Sequence, residues 1–569
     1  MKRIAYLLLA LPMLMVGCNK DEITIVDPDT TDVSDTTDIT DDPMDTSYTR
    51  TITITFSTSG SATVSGAGEE QTVEKSGNDV TISNNGTEQV LYVLKGTTNN
   101  GFLKIYSGKK QGLKLNNVSI TNTRGAAINI QGVASTPNKG KRTDVFLNGS
   151  NTLADGSSYT LTPSTEDEKA AFFSEGQLVF SGNGSLTVTA TGKAGITSDE
   201  YVRFLDGCTV SVSSSAGHGV RGKDYILVSG GIINVNVSAA GKKGFSSDSL
   251  VRFDGGETTI AVTGNTVVTT EGSTLDTSGT AGIKADMLFE MNNGSLTITN
   301  SGTGGKGISC DGDGYFNGGI VRATVTGNNF GSSGGGGWPG GGSTVDRSVG
   351  AKAIKFDGNL YFNGSTVIAS ASKHEGIESK GTITISGGEV YAYSSDDAIN
   401  SASTMTITGG YVCAHSTGND GLDANGNCYI QGGFVYAIGK SSPEMAIDAN
   451  TEGGYKLYIQ GGTIVAIGNL EGGAQLTQNC YQASSWTKNV WYSITVGDDT
   501  YAFKTPSSGG TKLVVSGDNN VQPTVKKSVT VDSGNEILNG MVQTNAECSG
   551  GTDVTLSNYS NSGGGGGWW

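Results

Sequence analysis

The chain has 569 residues, 87 of them glycine and only 9 proline, and a formal net charge of −17. Ten acidic residues and no basic residue lie between Asp21 and Asp45; the remainder is only mildly acidic, so nucleic acid is not expected as a partner. Frequent glycine, with Val, Ile and Thr in short runs, is typical of many short strands joined by tight turns and argues against a helical fold.

The N-terminus has the pattern of a secreted lipoprotein. Lys2 and Arg3 precede an apolar run over 4–16, and Gly17 and Cys18 follow. This pattern predicts a signal peptide over 1–18, with lipidation of Cys18, rather than a membrane-spanning helix. The Asp- and Thr-rich stretch 19–48 predicts a flexible acidic tether. The letters CNKDE at 18–22 resemble the surface-export signal of Bacteroidetes lipoproteins, which implies an outer-membrane lipid anchor and a surface-exposed body.

Short strand-like runs over 49–112 lack the period found later and predict an N-terminal β cap over the first sheet edges. From 113 to 482 a small residue followed by an apolar one recurs about every 22–25 residues, as in Gly376-Ile377, Ala398-Ile399 and Gly421-Leu422. Each pair is followed by a strand with a glycine turn, such as ISGGEVYA or ITGGYVCA. This period predicts an all-β fold, a right-handed parallel β-helix of about a dozen coils. A β-propeller would need about 40 residues per blade.

The end of the chain departs from this repeat. Runs such as WYSITV and KLVVSG predict a small β unit over 483–545, and 546–569 is expected to be a Gly-rich tail. The protein is expected to be a monomer.

Acidic and amide side chains recur beside the apolar positions of four successive repeats. Because residues one period apart become neighbours about 4.8 Å apart, these side chains should form adjacent columns on one wall. Like charges at such spacing repel unless some are protonated or a cation lies between them, and hard oxygen ligands suit calcium better than zinc or magnesium. Solvated turn carboxylates are the alternative. The candidate metal ligands are Glu375, Glu378, Asp396, Asp397, Asn400, Asn419, Asp420, Asp423 and Asp448.

The same columns are basic in earlier repeats, where Lys306, Lys352 and Lys355 occur. A basic stripe beside bound cations would attract a polyanion with repeated carboxylates, so these lysines are candidate substrate-binding residues. Ordinary solubilising lysines at turns are an equal alternative. Tyrosines also recur at matching positions, and they either stack on one another or pack against sugar faces.

The run 113–482 resembles a family of calcium-binding, carbohydrate-binding parallel β-helix proteins, similar in fold to family 9 polysaccharide lyases. The resemblance lies in DDAINS at 396–401, NDGLDANG at 419–426, the repeated G-G-x-V/I-x-A turns and a Gly-rich insertion with tryptophan. It implies binding of cellulose or of acidic, pectin-type polysaccharide. In the lyases a calcium cluster around a D-D-x-x-D type segment works with a basic residue. That segment would match Asn419, Asp420 and Asp423, with Asp396 and Asp397 from the preceding coil.

Three functions remain open at this point. The first is a non-catalytic, calcium-dependent polysaccharide-binding lipoprotein. The second is a pectate lyase-like enzyme, which would need a base near the metal; Lys456 is the nearest candidate by sequence, and Lys373 and Lys380 flank the acidic segments. The third is a structural adhesin, in which the ladders only hold the coils together.

Overall fold

The computed structural model describes residues 47–133, 141–160, 162–163, 166–271, 274–331 and 348–560. The predicted signal peptide with Cys18, nearly all of the tether, Trp338 and the end of the Gly-rich tail lie outside the described residues. The chain divides into two units, Met1–Ser47 and Tyr48–Trp569, and the architecture below is that of the second. Within the described ranges, no helical segment has the length and hydropathy of a membrane span.

The predicted all-β class is confirmed, since the described elements are strands and two short 3-10 helices. Two large sheets dominate, one of 28 strands and one of 14, and most of their neighbouring strands pair in parallel. At the N-terminal end two antiparallel pairs, β1 with β2 and β3 with β4, join parallel pairs from β5 onward. The first strands are β1 (Arg50–Phe56), β2 (Thr63–Ser65), β3 (Gln71–Ser76), β4 (Asp79–Asn84), β5 (Val90–Thr98), β6 (Phe102–Ser107), β7 (Gln111–Thr121), β8 (Ile128–Gln131), β9 (Thr143–Asn148) and β10 (Ser150–Ala154).

The central strands follow the period seen in the sequence, because each pairs in parallel with its counterpart one repeat later. A two-stranded hairpin, β22 with β23, interrupts this order. These strands are β11 (Ala170–Ser174), β12 (Leu178–Ser181), β13 (Ser185–Ala190), β14 (Ala194–Ser198), β15 (Tyr201–Phe204), β16 (Thr209–Ser214), β17 (Val220–Gly222), β18 (Tyr225–Val228), β19 (Ile232–Val237), β20 (Lys243–Ser247), β21 (Leu250–Val262), β22 (Val267–Glu271), β23 (Thr274–Ser278), β24 (Ala281–Ala285), β25 (Leu288–Asn300), β26 (Lys306–Cys310), β27 (Asp313–Phe316), β28 (Ile320–Val325), β29 (Lys352–Phe356), β30 (Leu360–Phe362), β31 (Thr366–Ala371), β32 (Ile377–Ser379), β33 (Ile383–Ile385), β34 (Glu389–Ser394), β35 (Ile399–Ser401), β36 (Met405–Ile407), β37 (Tyr411–Ser416), β38 (Leu422–Ala424), β39 (Cys428–Ile438) and β40 (Leu457–Ile467).

The C-terminal strands form a separate closed barrel of four antiparallel strands, β43, β44, β47 and β46. The barrel packs on the flank of the late repeats, where the Tyr436 hydroxyl donates to the Lys504 carbonyl at 2.9 Å. The Leu538 amide donates to the Glu389 carboxylate at 3.1 Å. The last elements are β41 (Gln475–Leu476), β42 (Cys480–Ala483), β43 (Trp491–Val496), β44 (Asp499–Lys504), β45 (Leu513–Ser516), a 3-10 turn (Asp518–Asn520), β46 (Thr524–Ile537), a second 3-10 turn (Leu538–Gly540), β47 (Val542–Asp553) and β48 (Ser557–Asn558).

The interior is filled by alternate strand residues, as the period-2 pattern requires. Aromatic side chains from successive repeats pack against each other there. Phe289 packs on Phe316 with ring centroids 5.4 Å apart, and Phe316 stacks on Phe362 at 4.8 Å. All three side chains are completely buried. Side chains facing away from this core are left free to form polar columns, and these hold the candidate site.

The glycine turns repeat with the strands. The second glycine of each turn has a positive φ, for example 77° at Gly388 and 79° at Gly410. A Cβ atom on Gly410 would lie 2.8 Å from the Gly387 backbone of the previous repeat. Glycine is therefore required both for its φ and for the close approach of stacked turns.

Candidate functional site

The candidate site lies on the 14-stranded sheet, where four short strands stack in register. Ile354, Ile377, Ile399 and Leu422 are successive partners along β29, β32, β35 and β38, and all are completely buried. Because neighbouring residues of a strand point to opposite faces, the residue after each of these faces outward. Those residues form one column, whose successive partners are Lys355, Glu378, Asn400 and Asp423.

Two isolated bridges extend this column. Leu422 pairs with Ile447, and Ile447 pairs with Leu470, so Asp448 and Glu471 follow Asp423. Sequence reasoning included Asp448 but missed Glu471, because Leu470 follows asparagine instead of the usual small residue. The available signal was the spacing, since Glu471 stands 23 positions after Asp448.

The first half of the acidic set has cationic partners. The Lys352 ammonium lies 2.5 Å from a Glu378 carboxylate oxygen and 3.2 Å from one of Glu375. Lys380 forms a second ion pair with Glu378. The His374 ring contacts the Glu375 carboxylate and lies 3.0 Å from that of Asp396. These three carboxylates are therefore neutralised by side chains of the protein itself.

Charge states in this half follow from those partners. Burial alone would raise the pKa of Glu378, but the charge and hydrogen bond of Lys352 outweigh it and leave the pKa lowered. Burial would also lower the pKa of His374, yet its hydrogen bonds with Asp396 and Glu375 raise that pKa to about 9. The hydrogen bond from His374 lowers the pKa of Asp396.

The second half consists of carboxylates close to one another. Asp420, Asp423 and Asp448 each offer one oxygen atom, and these atoms lie within 4.8 Å of one another. Asn400 donates to Asp423 at 2.7 Å and to Asp397 at 3.2 Å. The Asp420 amide donates to Asp397 at 3.1 Å. Among the described residues, no lysine, arginine or histidine forms an ion pair with any of these four aspartates.

Burial without a cation changes the protonation of this second group. It raises the pKa values of Asp397, Asp420 and Asp423 to about 7 each, and neighbouring carboxylates add to the effect. The pKa of Asp448 is raised as well, by burial and then by its hydrogen bond and like charge with Glu471. At neutral pH the group is thus a set of half-buried carboxyl groups that are partly protonated and have no cationic partner among the described residues.

The remaining predicted ligand has a peripheral position. The Asn419 side-chain amide donates to Asp396 at 3.2 Å, and its backbone amide donates to the Ser416 hydroxyl at 2.8 Å. Asn419 therefore links the neutralised half to the turn that carries Asp420.

The three lysines of the predicted basic stripe have different surroundings. Lys306 pairs in register with Lys352, but only Lys352 has the two glutamates described above. Lys355 forms an ion pair with Asp357 at 2.5 Å. Lys306 forms no ion pair with a described carboxylate, and burial, with the nearby charges of Lys355 and Lys352, lowers its pKa to about 8.

The candidate base Lys456 is exposed and immediately precedes β40 in the 28-stranded sheet. Its backbone amide donates to the Asn427 side chain at 3.0 Å. Its ammonium group pairs with no carboxylate in the described part of the chain. Of the flanking lysines, Lys380 is the partner of Glu378.

A shallow cavity of about 200 Å³ lies on a different part of the molecule. It is lined by small and hydroxyl side chains of β13, β16, β19 and β21 and of the turns after them, and contains no titratable group. The acidic ladder, which consists of Asp397, Asp420, Asp423, Asp448 and Glu471, is the better candidate site, because its four aspartates have no cationic partner among the described residues.

A family model described as "Carbohydrate-binding domain-containing protein" matches residues 76–421. A solved structure described as a polysaccharide lyase-like protein from C. thermocellum, a gadolinium derivative, is 20% identical to the chain. The match covers 48% of this chain and 96% of that one, with a TM-score of 0.36. No curated protein matches the chain.

Proposed function

The chain belongs to the carbohydrate-binding domain-containing family, and on this basis we propose that it binds polysaccharide through a calcium-containing face. The face is the acidic ladder, and Asp397, Asp420, Asp423 and Asp448 would hold the ion, with Glu471 as a fifth acid. Binding rather than cleavage is the function that we propose.

One observation carries the calcium proposal. Along a single wall, Glu375, Glu378 and Asp396 have lysine or histidine partners, whereas the next four acids have none among the described residues. Protein folds rarely leave several half-buried carboxylates together without a cation or a proton. One cation could contact several of these acids at once, because oxygen atoms of Asp420, Asp423 and Asp448 lie within 4.8 Å of one another.

The donor set fits calcium chemically. All the donors are hard oxygen atoms, from aspartate and glutamate, and they are drawn from successive repeats. Calcium accepts six to eight such oxygen ligands in flexible geometry, whereas zinc prefers nitrogen and sulfur and magnesium demands near-octahedral sites. A bound calcium ion would supply positive charge that an acidic sugar can share, and the chain's own residues would orient it.

An acidic polymer is the substrate class that this wall favours. A carboxylate of the polymer would complete the coordination of the ion. Lys306, which has no carboxylate partner among the described residues, would attract a neighbouring acidic sugar. Lys352 and Lys355 have internal partners, so their contribution would be smaller than that of Lys306.

The cleavage alternative needs a base at the ion. The position of Lys456 does not favour it for this role, because its ammonium group makes no contact with the four aspartates.

We therefore propose a binding protein, anchored through Cys18 to the outer membrane and exposed at the cell surface. We also infer that the parallel repeats wind as a right-handed parallel β-helix, the hand that crossover connections favour.

Retention of the full chain on polygalacturonate tests this function. Retention should require calcium, disappear with a chelator, and fall at least tenfold in the double variant Asp423→Asn/Asp448→Asn. Asp357→Asn is the matched control, because Asp357 directly follows β29 and has its own lysine partner, Lys355. Retention that is indifferent to calcium would contradict the calcium site, and ultraviolet-absorbing unsaturated product would establish a lyase instead.

A further inference from the structure

A second outward column, on the 28-stranded sheet, consists of aromatic and hydroxyl side chains in consecutive pairs. Its successive in-register members are Tyr315, Tyr361, Thr384, Thr406, Tyr429 and Tyr458. Two pairs of tyrosines therefore enclose two threonines. All six side chains are partly exposed to solvent.

Each tyrosine pair is stacked along the column. The rings of Tyr315 and Tyr361 have centroids 4.8 Å apart and an interplanar angle of 11°. Those of Tyr429 and Tyr458 are 4.7 Å apart at 14°. Stacking covers one face of Tyr361 and one face of Tyr429, and leaves their other faces directed toward the threonines between them. Because three strand spacings separate these two residues, the two ring faces stand about 14 Å apart.

The space between the Tyr361 and Tyr429 rings, called the slot below, has a floor of hydroxyl groups from Thr384 and Thr406. The rows that form it are TITIS at 382–386 and TMTIT at 404–408, in which every second residue faces outward. Neither Thr384 nor Thr406 has a side-chain hydrogen bond within the described part of the chain, so both hydroxyls are available to a ligand. These two rows contain no charged residue.

The walls carry polar groups beside each ring. Tyr361 lies between Asn359 and Asn363 along its strand, and Tyr429 lies between Asn427 and Gln431. The Asn363 side-chain amide donates a hydrogen bond of 2.8 Å to the side-chain oxygen of Asn317 in the preceding repeat. Each ring is supported by its stacking partner, and this bond fixes a polar group beside the Tyr361 ring.

From this juxtaposition we propose that the slot is a second carbohydrate site, which binds one strand of an uncharged pyranose polymer. Sugar rings offer apolar C–H faces to the tyrosine rings and hydroxyl groups to the threonine floor, which is the mixture of contacts that such sites use. The lack of charge in the floor gives no attraction for a polyanion, and its hydroxyl groups do not suit an apolar protein surface.

The slot is independent of the acidic ladder. It lies on a different sheet, and neither its floor nor its two tyrosine walls contains a carboxylate that calcium could use. Binding there should therefore persist in a chelator. This independence separates the slot from the proposed calcium-dependent function.

Affinity electrophoresis of the full chain in gels that contain hydroxyethyl cellulose, an uncharged β-glucan, tests the slot. The variant Thr406→Tyr would extend the Tyr429 stack into the slot and should lower retention at least tenfold, with or without chelator. Calcium-dependent retention on polygalacturonate should be unchanged in this variant. Thr324→Tyr, at an exposed position of β28, is the matched control and should retain the glucan normally.

A second variant avoids dependence on one bulky replacement. Tyr361→Ala/Tyr429→Ala removes both walls and should also abolish glucan retention, while circular dichroism checks that the fold is kept. The proposal is overturned if the native chain is not retained by the glucan, if Thr406→Tyr is retained like the native chain, or if chelator alone removes retention. If the native chain binds the glucan but does not bind polygalacturonate, the proposed calcium-dependent function is contradicted and the slot proposal is supported.

Discussion

Replacing Asp423 by asparagine should stabilise the protein without calcium, and most of this advantage should be lost when calcium is present. Asp423 is partly buried, accepts a 2.7 Å hydrogen bond from Asn400, and has no cationic partner in the described structure. Without an ion, its negative charge opposes folding. Asparagine keeps the size and the acceptor oxygen but removes that charge.

The magnitude follows from the pKa. Burial, then the charges of neighbouring carboxylates, raises the pKa of Asp423 from 3.8 to about 7. The folded state thus binds the proton more tightly than the unfolded state, so the free energy of unfolding of the ion-free protein falls as pH rises from about 4 to 7. At 1.36 kcal/mol per pKa unit, ionisation at pH 7 costs at most about 4 kcal/mol, and about 2 kcal/mol at pH 5.

The variant Asp423→Asn should therefore be more stable than the native chain in chelator at pH 7, by up to about 4 kcal/mol, with a smaller gain at pH 5. In calcium at 100 times its Kd this advantage should shrink to about 1 kcal/mol, because the native chain gains about 2.7 kcal/mol from the bound ion and the variant loses most of that gain. Urea unfolding of both proteins, with and without calcium at pH 5 and pH 7, gives the four differences in the free energy of unfolding.

Asp396→Asn is the control for this experiment. The hydrogen bond from His374 lowers the pKa of Asp396, so its ionised form stabilises the fold, and removing the charge should destabilise the protein at pH 7. The reasoning is refuted if Asp423→Asn is destabilised in chelator as Asp396→Asn is, or if calcium stabilises both variants as much as the native chain.

Three further outcomes are expected. Lys352→Ala leaves two buried glutamates without their shared cation and should lower the free energy of unfolding by about 3 kcal/mol, measured by urea unfolding at pH 7. His374, whose pKa is raised to about 9, contributes stability that is complete below its ordinary pKa of 6.5 and is lost as pH rises through 9. His374→Gln should flatten that part of the pH–stability curve, whereas His415→Gln, at a residue whose pKa burial lowers to about 4, should not. At Gly410 φ is 79° and an added Cβ would lie 2.8 Å from backbone atoms, whereas at Gly454 φ is 85° but the space is open. Gly410→Ala should therefore lower the melting temperature more than Gly454→Ala. Equal shifts would mean that the positive φ alone determines the loss of stability.

Sequence period was sufficient to predict the all-β class and the columns. The spacing of Ile377, Ile399 and Leu422 specifies which residues become neighbours, because a parallel ladder joins equivalent positions of successive repeats. The register of Glu378, Asn400 and Asp423 followed from that count alone. Glu471 was missed for a local reason, since its repeat lacks the small residue that marks the others.

Tertiary structure decided which charges have partners. Spacing alone cannot show that the Lys352 side chain reaches two glutamates while Lys306 reaches no carboxylate in the described part of the chain, because long side chains can extend in several directions across the face of the sheet. It also cannot show the stacking of Tyr361 on Tyr315, which leaves one ring face open toward Thr384. The chain order specified the columns, whereas burial and side-chain direction determined where charge is left uncompensated and where ring faces are left uncovered. Those two properties, which depend on neighbours in three dimensions, are the ones that a ligand would use.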